Sequence, residues 1–223
     1  MHSHLDFPLL KPQTSIRVPY LCIKGEIEYN DAFILGSQSN YAESMQKKYS
    51  RFGVTVKLTL AAVFAALVFV VTSQIPPIPI PATSGYFNVG ETVIYVAALV
   101  FGASVGALSG GIGAMLADIY LGFGLFAPGT LVIKGIEGAI VGFLNLKLKK
   151  HIQNVTLCAV ISVIVGGSEM VAGYFLYEQL ALGLSLSVAL AEAPFNAVQM
   201  LVGLIIAVPI THAVLRFFPQ LKS

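Results

Sequence analysis

Seven ionisable side chains interrupt otherwise apolar segments of the sequence, and their chemistry is that of binding a polar ligand. They are Glu91, Asp118, Lys134, Glu137, Glu169, Glu178 and Glu192. An ionisable group inside a membrane segment costs about 2.5 to 3.5 kcal/mol, so each requires a polar cavity, a partner or a function. At about 1.5 Å per helical residue, Asp118, Lys134 and Glu192 lie about 5 to 10 Å below the outer surface. The common depth favours a pocket that opens outward. The alternative is that these groups only hold helices together.

A polar stripe follows the last apolar segment. Glu192, Asn196 and Gln199 stand at i, i+4 and i+7, a spacing that places all three on one face of a helix. Two segments earlier, Lys134 and Glu137 stand at i and i+3 and are close enough to pair within the bundle. Lys134 and Glu137 therefore have two interpretations: they bind a ligand, or they only neutralise each other within the bundle.

Two tyrosines, Tyr174 and Tyr177, lie at the same level as these polar groups. Their rings and hydroxyls suit stacking on a flat organic ligand, although tyrosines near a membrane surface are also typical of the aromatic belt.

The two cysteines fit neither a disulfide framework nor a zinc site.

One sequence resembles a catalytic motif, because Gly102–Gly106 reads G-x-S-x-G, the nucleophile elbow of serine hydrolases. That elbow requires a strand-to-helix turn, whereas Ser104 lies within an apolar helical segment. A base is also required, and the histidines beyond the first fifty residues are His151 and His212. We expect no enzyme, with a hydrolase centred on Ser104 as a distant alternative. The sequence lacks a Walker A motif, so ATP hydrolysis by that machinery is not expected of this chain.

The composition indicates an integral membrane protein. Of 223 residues, 56% are hydrophobic and 11% charged, and the mean hydropathy is +0.81, whereas ordinary soluble domains carry about 25% charged residues. The net charge of +2 is too small for a nucleic-acid-binding surface. We therefore expect an all-α integral membrane protein embedded in the lipid bilayer, with no nucleic acid as partner.

Two regions differ in composition. Residues 1–50 form a polar extension that lacks a signal peptide's pattern, and we expect it to be weakly ordered. Residues 51–223 form one membrane domain with six apolar segments long enough to span about 30 Å as helices. The predicted spans are Gly53–Thr72, Glu91–Ser109, Gly110–Leu125, Gly129–Leu146, Val155–Leu180 and Leu186–Phe217. The second and third are separated only by Ser109–Gly111, which predicts a bent hairpin there.

Positive charges predict the orientation. Three clusters, before the first span, after the fourth and after the last, contain Lys47, Lys48, Arg51, Lys147, Lys149, Lys150, Arg216 and Lys222. With six spans all three clusters lie on one side, and Lys and Arg accumulate on the cytoplasmic side of membranes. The connections on the other side lack Lys and Arg. We expect a multi-pass protein of the cell membrane with both termini cytoplasmic.

Two further patterns concern the outer loop and the first span. Four prolines within Ile75–Pro81 predict a stiff, extended connection, which is either a flap over the pocket or a plain connector. Small residues at every fourth position, Ala61 with Ala65 and Ala62 with Ala66, allow close approach of another helix. That helix belongs either to this bundle or to another membrane protein.

Several of these segments resemble one transporter family. The segments are Ser84–Glu91, Phe101–Gly102, Gly106–Gly113, Ala117–Asp118, Ala127–Pro128, Lys134–Gly138 and Glu192–Gln199. Together they resemble the S components, or substrate-binding subunits, of energy-coupling factor (ECF) transporters of the riboflavin-type branch. The resemblance runs from about Arg51 to Phe217 and leaves the first fifty residues uncovered.

The resemblance implies a six-helix subunit that captures a vitamin-like small molecule at its outer face. Its partners would be a transmembrane coupling subunit and two ATPase subunits, which use ATP, while this chain has no cofactor or metal. The alanine pairs would contact the coupling subunit, and the first outer loop would cover the ligand. The residues expected to bind the ligand are Asn88, Glu91, Asp118, Lys134, Glu137, Glu169, Tyr174, Glu192, Asn196 and Gln199.

Two questions stay open at this level. A flat heteroaromatic vitamin such as riboflavin suits the tyrosines and the stripe of acid and amide groups, and other nitrogenous compounds suit them as well. The main alternative function is a stand-alone secondary carrier in which Asp118, Lys134 and Glu137 couple proton movement to transport. Such carriers often contain inverted repeats, and the sequence shows no repeat between its two halves.

Overall fold

A computed structural model of the chain describes residues 53–75, 78–80 and 85–221. Six α-helices carry most of these residues. They are α1 (Val54–Gln74), α2 (Glu91–Phe101), α3 (Ala103–Leu121), α4 (Ala127–Leu148), α5 (Val155–Leu180) and α6 (Leu186–Phe217), and a short 3-10 turn, Pro219–Leu221, follows α6. The predicted polar extension, residues 1–50, lies outside the described residues.

Four of the predicted spans agree closely with the helices. α5 and α6 have the predicted ends, and the ends of α1 and α4 differ by at most two residues from those predicted. The boundary between the second and third spans is wrong, because the chain turns at Gly102 and not at Ser109–Gly111. Gly102 has φ +88°, a conformation that favours glycine.

The glycines at the predicted turn have a packing role instead. Gly110 and Gly111 lie inside α3, where an added Cβ would lie 2.8 Å from the Lys134 carbonyl oxygen and 2.6 Å from that of Leu131. Their missing side chains therefore let α3 approach the backbone of α4 closely. A local glycine count does not distinguish a turn from a helix contact, and that is why the prediction failed.

The short helix α2 lies at the centre of the bundle. Nine of its 11 residues are buried, as expected for a helix that is apolar on all sides. Tyr95 of α2, fully buried, belongs to a core cluster that includes Val141 of α4, Val163 of α5 and Ala207 of α6. α2 therefore connects the helices that carry most of the predicted ligand residues.

Among the described residues, four helices are long and apolar enough to cross a membrane: α1, α3, α5 and α6. The central α2 has only 11 residues, about 16 Å of helix. α4 has 22 residues and carries Lys134, Glu137 and Lys147, which make it less apolar. Many large apolar side chains on the outside of the bundle are exposed, as expected for surfaces that face lipid.

The proline-rich connection forms part of a two-stranded ribbon. Strand β1 (Ile78–Ile80) pairs antiparallel with β2 (Gly85–Phe87), with Pro79 opposite Tyr86. The predicted extended conformation is thus confirmed for β1, while residues 76, 77 and 81–84 lie outside the described part of the chain. Within the described residues the fold is therefore all-α apart from this small ribbon, which leads directly into α2.

We predict that Gly138→Ala destabilises the bundle. An added Cβ at Gly138 would collide with the Gly106 backbone, whereas at Gly135, one helical turn away, the nearest neighbour is the Ala107 carbonyl oxygen at an ordinary 3.7 Å. Overpacking of this kind costs about 1 to 3 kcal/mol. Thermal unfolding in detergent should show a clearly lower midpoint for Gly138→Ala and little change for the matched control Gly135→Ala. Equal midpoints would contradict the close contact of α3 and α4.

Candidate functional site

A polar cavity lies beneath the ribbon and is lined by residues of β2 and of all six helices. Eight of the ten predicted ligand residues line it: Asn88, Glu91, Asp118, Lys134, Tyr174, Glu192, Asn196 and Gln199. The polar stripe of α6 is buried, with Glu192, Asn196 and Gln199 each at most 5% exposed. The tertiary structure thus brings together residues that are separated by up to 111 positions in the sequence.

A buried charge network forms the floor of the cavity. The Lys134 ammonium donates to Glu91 Oε2 and lies 3.3 Å from Glu137 Oε2, so the predicted i, i+3 pair is present. Gln199 Nε2 donates to the same Glu91 oxygen at 3.1 Å, and the Tyr95 hydroxyl donates to Glu137 Oε1 at 2.8 Å. The network therefore joins α2, α4 and α6 through side chains that are at most 3% exposed.

The ribbon covers the cavity through direct hydrogen bonds. The Tyr86 hydroxyl donates to Asp118 Oδ1 at 2.6 Å, and the Tyr86 ring lies 4.5 Å from that of Phe123. Burial, reinforced by the Asp118 carboxylate, raises the pKa of Tyr86 above its ordinary value, so the hydroxyl stays protonated and acts as a donor. The backbone N–H of Asn88 donates to Gln199 Oε1 at 2.9 Å, which fixes the chain between β2 and α2.

Gly85 fits closely over Glu192. A Cβ at this position would lie 2.6 Å from Glu192 Oε1, so only glycine lets the strand pass so near the carboxylate. The ribbon thereby contacts α3 through Asp118 and α6 through Glu192.

Aromatic side chains form one wall. Tyr174 of α5 lines the cavity with Phe126 and Thr130 of the α4 end, and its hydroxyl shares a hydrogen bond with Thr130 Oγ1 at 2.9 Å. The Lys134 ammonium lies 5.6 Å from the centre of the Tyr174 ring, within range of a cation–π interaction. This wall offers a ring face to a ligand beside charged and amide groups.

Four candidates from the sequence do not line the cavity. Glu137 lies below it in the charge network, and Glu169 is only partly buried on α5. Glu178 is fully buried and lies within electrostatic reach of Glu192. Tyr177 donates a hydrogen bond to the Leu125 carbonyl oxygen at 2.8 Å, so it fixes the connection between α3 and α4.

Sequence reasoning missed several lining residues, including Thr72, Tyr86, Ile94, Phe126 and Thr130. Tyr86 and Thr130 carry the hydroxyls described above. Their only signal was position, since Tyr86 follows the proline-rich connection and Thr130 stands one turn before Lys134. Neutral hydroxyls are common in membrane segments, and residue type alone therefore did not mark them.

The cavity encloses about 30 Å³, enough for one or two water molecules. Sites for drug-sized ligands enclose about 300 to 1,000 Å³. A vitamin-sized molecule therefore enters only when the covering ribbon or the lining side chains move.

A second concave surface lies outside the bundle, between α1 and α3. This apolar groove is lined by Leu58, Ala61, Ala62, Ala65, Ala66, Phe69, Leu108, Ile112, Leu116, Ile119 and Tyr120. Ala61 is buried against Ala97 and Val105, whereas Ala62 and Ala66 are exposed. The two alanine registers thus differ, since Ala61 packs within the bundle and the Ala62 pair faces outward.

The alternative hydrolase lacks its required geometry. Ser104 is exposed in the first turn of α3, and the preceding element is helix α2 rather than a strand. The candidate base His212 has the Thr156 hydroxyl as a neighbour, 3.4 Å from its Nε2.

Within the described residues, no group of three or more His, Cys, Asp and Glu side chains is arranged to hold a metal ion.

Comparison with known proteins identifies the family. The sequence profile described as "ECF-type riboflavin transporter, S component" matches residues 54–216. The chain belongs to this family of ECF transporter S components. It is therefore a multi-pass membrane protein of a transport family, as the resemblance predicted.

Two relatives cover most of the S-component domain. An uncharacterized protein from Pyrococcus woesei is 38% identical over 136 residues, 61% of this chain and 86% of the relative. The thiamine precursor transporter HmpT of Lactococcus lactis subsp. cremoris is 32% identical over 152 residues, 68% of this chain and 82% of the relative.

We predict that Lys134→Met destabilises this S component strongly. Methionine has a similar length but leaves Glu91 and Glu137 buried without their cation, and breaking a buried ion pair in this way costs about 3 to 5 kcal/mol. Lys147→Met, on the exposed end of the same helix, is the matched control. Thermal unfolding in detergent measures both. A Lys134→Met midpoint equal to that of the control would show that the network does not stabilise the fold.

Proposed function

We propose that this chain is the substrate-binding subunit of an ECF-type vitamin uptake transporter. It captures a small organic ligand in the cavity and passes it inward through a coupling subunit driven by two ATPase subunits, without chemistry of its own. The observation that carries the proposal is the small polar cavity beneath the ribbon, near one end of an apolar bundle. A concave site with few convergent polar groups is the usual form of a small-molecule site.

The ligand in this proposal is a flat heteroaromatic vitamin. The Tyr174 ring supplies a stacking face, while the carboxylates and the amides of Asn196 and Gln199 supply hydrogen-bond partners. Riboflavin is named in the family description and a thiamine precursor in the name of one relative, and both compounds contain a flat nitrogen heterocycle.

Entry of the ligand requires the ribbon to move. The cavity is too small for a vitamin while Tyr86 bonds Asp118. We expect binding to replace this bond with contacts to the ligand, so that Asp118 exchanges one donor for another. The ribbon then closes over the bound molecule.

In the proposed topology all six helices belong to the membrane domain and both termini are cytoplasmic. The short α2 and the longer α3 form a hairpin, and its turn at Gly102 lies at the end of the bundle away from the cavity. Lys147, Lys149, Lys150 and Arg216 lie at that same end, in or after the last turns of α4 and α6. Their clustering supports the inside assignment of this end by the positive-inside rule.

The groove between α1 and α3 is the proposed contact with the coupling subunit. Its floor is built from alanines, which permit close approach of a partner helix, and its walls are apolar residues such as Leu58 and Ile112. The exposed pair Ala62 and Ala66 is the register that we propose for docking, with Ala61 and Ala65 beside it.

The rival function, a proton-coupled carrier, uses Asp118, Lys134 and Glu137. Lys134 and Glu137 lie in a network that joins three helices, and such a network favours a fixed structure. The apolar groove between α1 and α3 supports the proposed function over a stand-alone carrier, because it offers a docking surface for another subunit. Co-purification with ATPase subunits tests the choice, because a stand-alone carrier does not retain them.

We predict that Asn196→Ala weakens ligand binding by about 5- to 150-fold, the effect of losing one desolvated hydrogen bond. Glu192→Ala should behave similarly, since both side chains are buried at the cavity. Gln179→Ala is the control, because that amide bonds the Phe175 carbonyl oxygen away from the cavity. Calorimetric titration of riboflavin and thiamine measures the affinities. Unchanged affinities in both cavity variants would place the site elsewhere.

We predict that Ala62→Trp with Ala66→Trp prevents assembly while ligand binding persists, because the added bulk blocks a close helix contact. The control is Ile205→Trp, an exposed position on α6 far along the sequence from the groove. Pull-down of the coupling subunit and ligand titration are measured together. Ala61→Trp with Ala65→Trp should also lower the unfolding temperature, since Ala61 packs internally. Normal assembly of the Ala62 and Ala66 variant would rule out the groove as the docking surface.

A further inference from the structure

A pocket of about 400 Å³ lies at the end of the bundle opposite the ribbon. It is formed where the end of α4, the start of α5 and the last turns of α6 meet. Its polar lining includes Lys149, His212 and Arg216, and its apolar lining is Ile152, Val155 and Leu215. We call it the basic pocket. It shares no lining residue with the ligand cavity or with the groove between α1 and α3.

The cations of the basic pocket lie far from the carboxylates on their own helices. Along α4 the nearest carboxylate is Glu137, 12 residues before Lys149, which is about 18 Å of helix. On α6, Glu192 lies near the opposite end of the helix from Arg216. Accordingly, neither Lys149 nor Arg216 forms an ion pair within the described part of the chain. The pocket therefore carries positive charge that an external anion can balance.

Two further features favour an anion in this pocket. Burial lowers the pKa of Lys149, which follows the last residue of α4, below its ordinary value, because desolvation disfavours the charged form. A bound anion offsets that cost, since an opposite charge nearby stabilises the ammonium. Val155 is the first residue of α5, so the positive end of the dipole of this 26-residue helix also lies at the pocket.

The apolar part of the pocket indicates an amphipathic ligand. Val155 and Leu157 begin α5 with side chains that are 40% and 46% exposed, whereas the connection before them is mostly polar, with Lys150 and Gln153 exposed. The basic pocket thus lies where an apolar helix surface meets a polar connection. In a bilayer, phospholipid headgroups lie at that boundary, next to the hydrocarbon core. A free phosphate ion has no use for the apolar wall.

We propose that the basic pocket binds an anionic phospholipid through its phosphate group. Lys149 and Arg216 pair with the phosphate oxygens, for which the guanidinium offers two parallel N–H donors. Val155 and Leu215 contact the glycerol and the first carbons of an acyl chain. In the topology proposed above, the lipid belongs to the cytoplasmic leaflet, where anionic lipids attract basic segments. The lipid then links α4, α5 and α6 at the end of the bundle away from the ligand cavity.

Two lipids with the same acyl chains and different headgroup charge test this proposal. The full chain is purified in detergent and titrated with dioleoyl phosphatidylglycerol, an anion, or with dioleoyl phosphatidylcholine, a zwitterion. Native mass spectrometry counts the lipids that stay bound. We expect phosphatidylglycerol to bind at least about 10-fold more tightly, since each nearby cation contributes about 5-fold toward an anionic lipid. Equal binding of the two lipids would overturn the proposal.

Single neutralised cations identify the pocket as the site. Lys149→Gln and Arg216→Gln should each weaken the binding of phosphatidylglycerol by about 5-fold. Lys147→Gln is the matched control, because it removes the same charge from an exposed residue at the same end of α4 that does not line the pocket. An equal loss in the control would show a diffuse attraction of the whole basic end and would overturn a defined pocket.

A carboxylate placed inside the pocket gives a second test. Val155→Glu should remove the preference for phosphatidylglycerol, while an acidic residue in the first turn of a helix is itself favourable. Leu157→Glu makes the same change in the same turn outside the pocket, and there the preference should persist. Thermal unfolding in lipid-free detergent shows whether both variants are folded. A folded Val155→Glu variant with an unchanged preference would contradict the proposal.

Soluble phosphates distinguish a lipid from a free anion. Inorganic phosphate and glycerol phosphate lack acyl chains, so a large molar excess of either should leave phosphatidylglycerol bound. Displacement by either compound would assign the pocket to a soluble phosphate and overturn the lipid. These measurements involve neither vitamin binding nor assembly with a coupling subunit, so their failure leaves the proposed function standing.

Discussion

The buried ammonium of Lys134 is the interaction on which the rest of the structure depends. It lies between carboxylates of α2 and α4, and Gln199 of α6 donates to one of them. In an apolar bundle the alternative partners for these groups are lipid chains, which provide no hydrogen bonds. The charge network around this cation, extended by the Gln199 amide, therefore links three helices and forms the floor of the cavity.

Glycine makes this arrangement possible. Gly106 and Gly138 bring α3 and α4 into backbone contact, and Gly110 lies against the carbonyl oxygen of Lys134 itself. Without side chains at these positions, dispersion contacts hold the helices together where water provides no hydrophobic driving force. The same close packing places Asp118 of α3 within reach of the ribbon that covers the cavity.

Helix α3 connects the two proposed functional surfaces. It presents Ala114 and Asp118 to the cavity and Ile112 and Leu116 to the external groove. A ligand that displaces the Tyr86 hydroxyl from Asp118 changes a contact on the same helix that forms one wall of the docking groove. The proposed binding site and the proposed docking groove thus lie on the same helix but are lined by different residues.

The sequence by itself predicted four of the six helices closely and half of the residues that line the candidate site. Apolar length predicted the ends of α5 and α6, and the i, i+4, i+7 spacing placed Glu192, Asn196 and Gln199 on one face, because helical geometry is local. The tertiary structure decided what local patterns do not contain. It placed the turn at Gly102 rather than at Gly110. The sequence does not distinguish these two glycines, because a turn and a close helix contact both require a missing side chain. It also paired Lys134 with Glu91, 43 positions away, and brought Tyr86 onto Asp118, because a partner across the bundle is chosen by packing rather than by sequence distance.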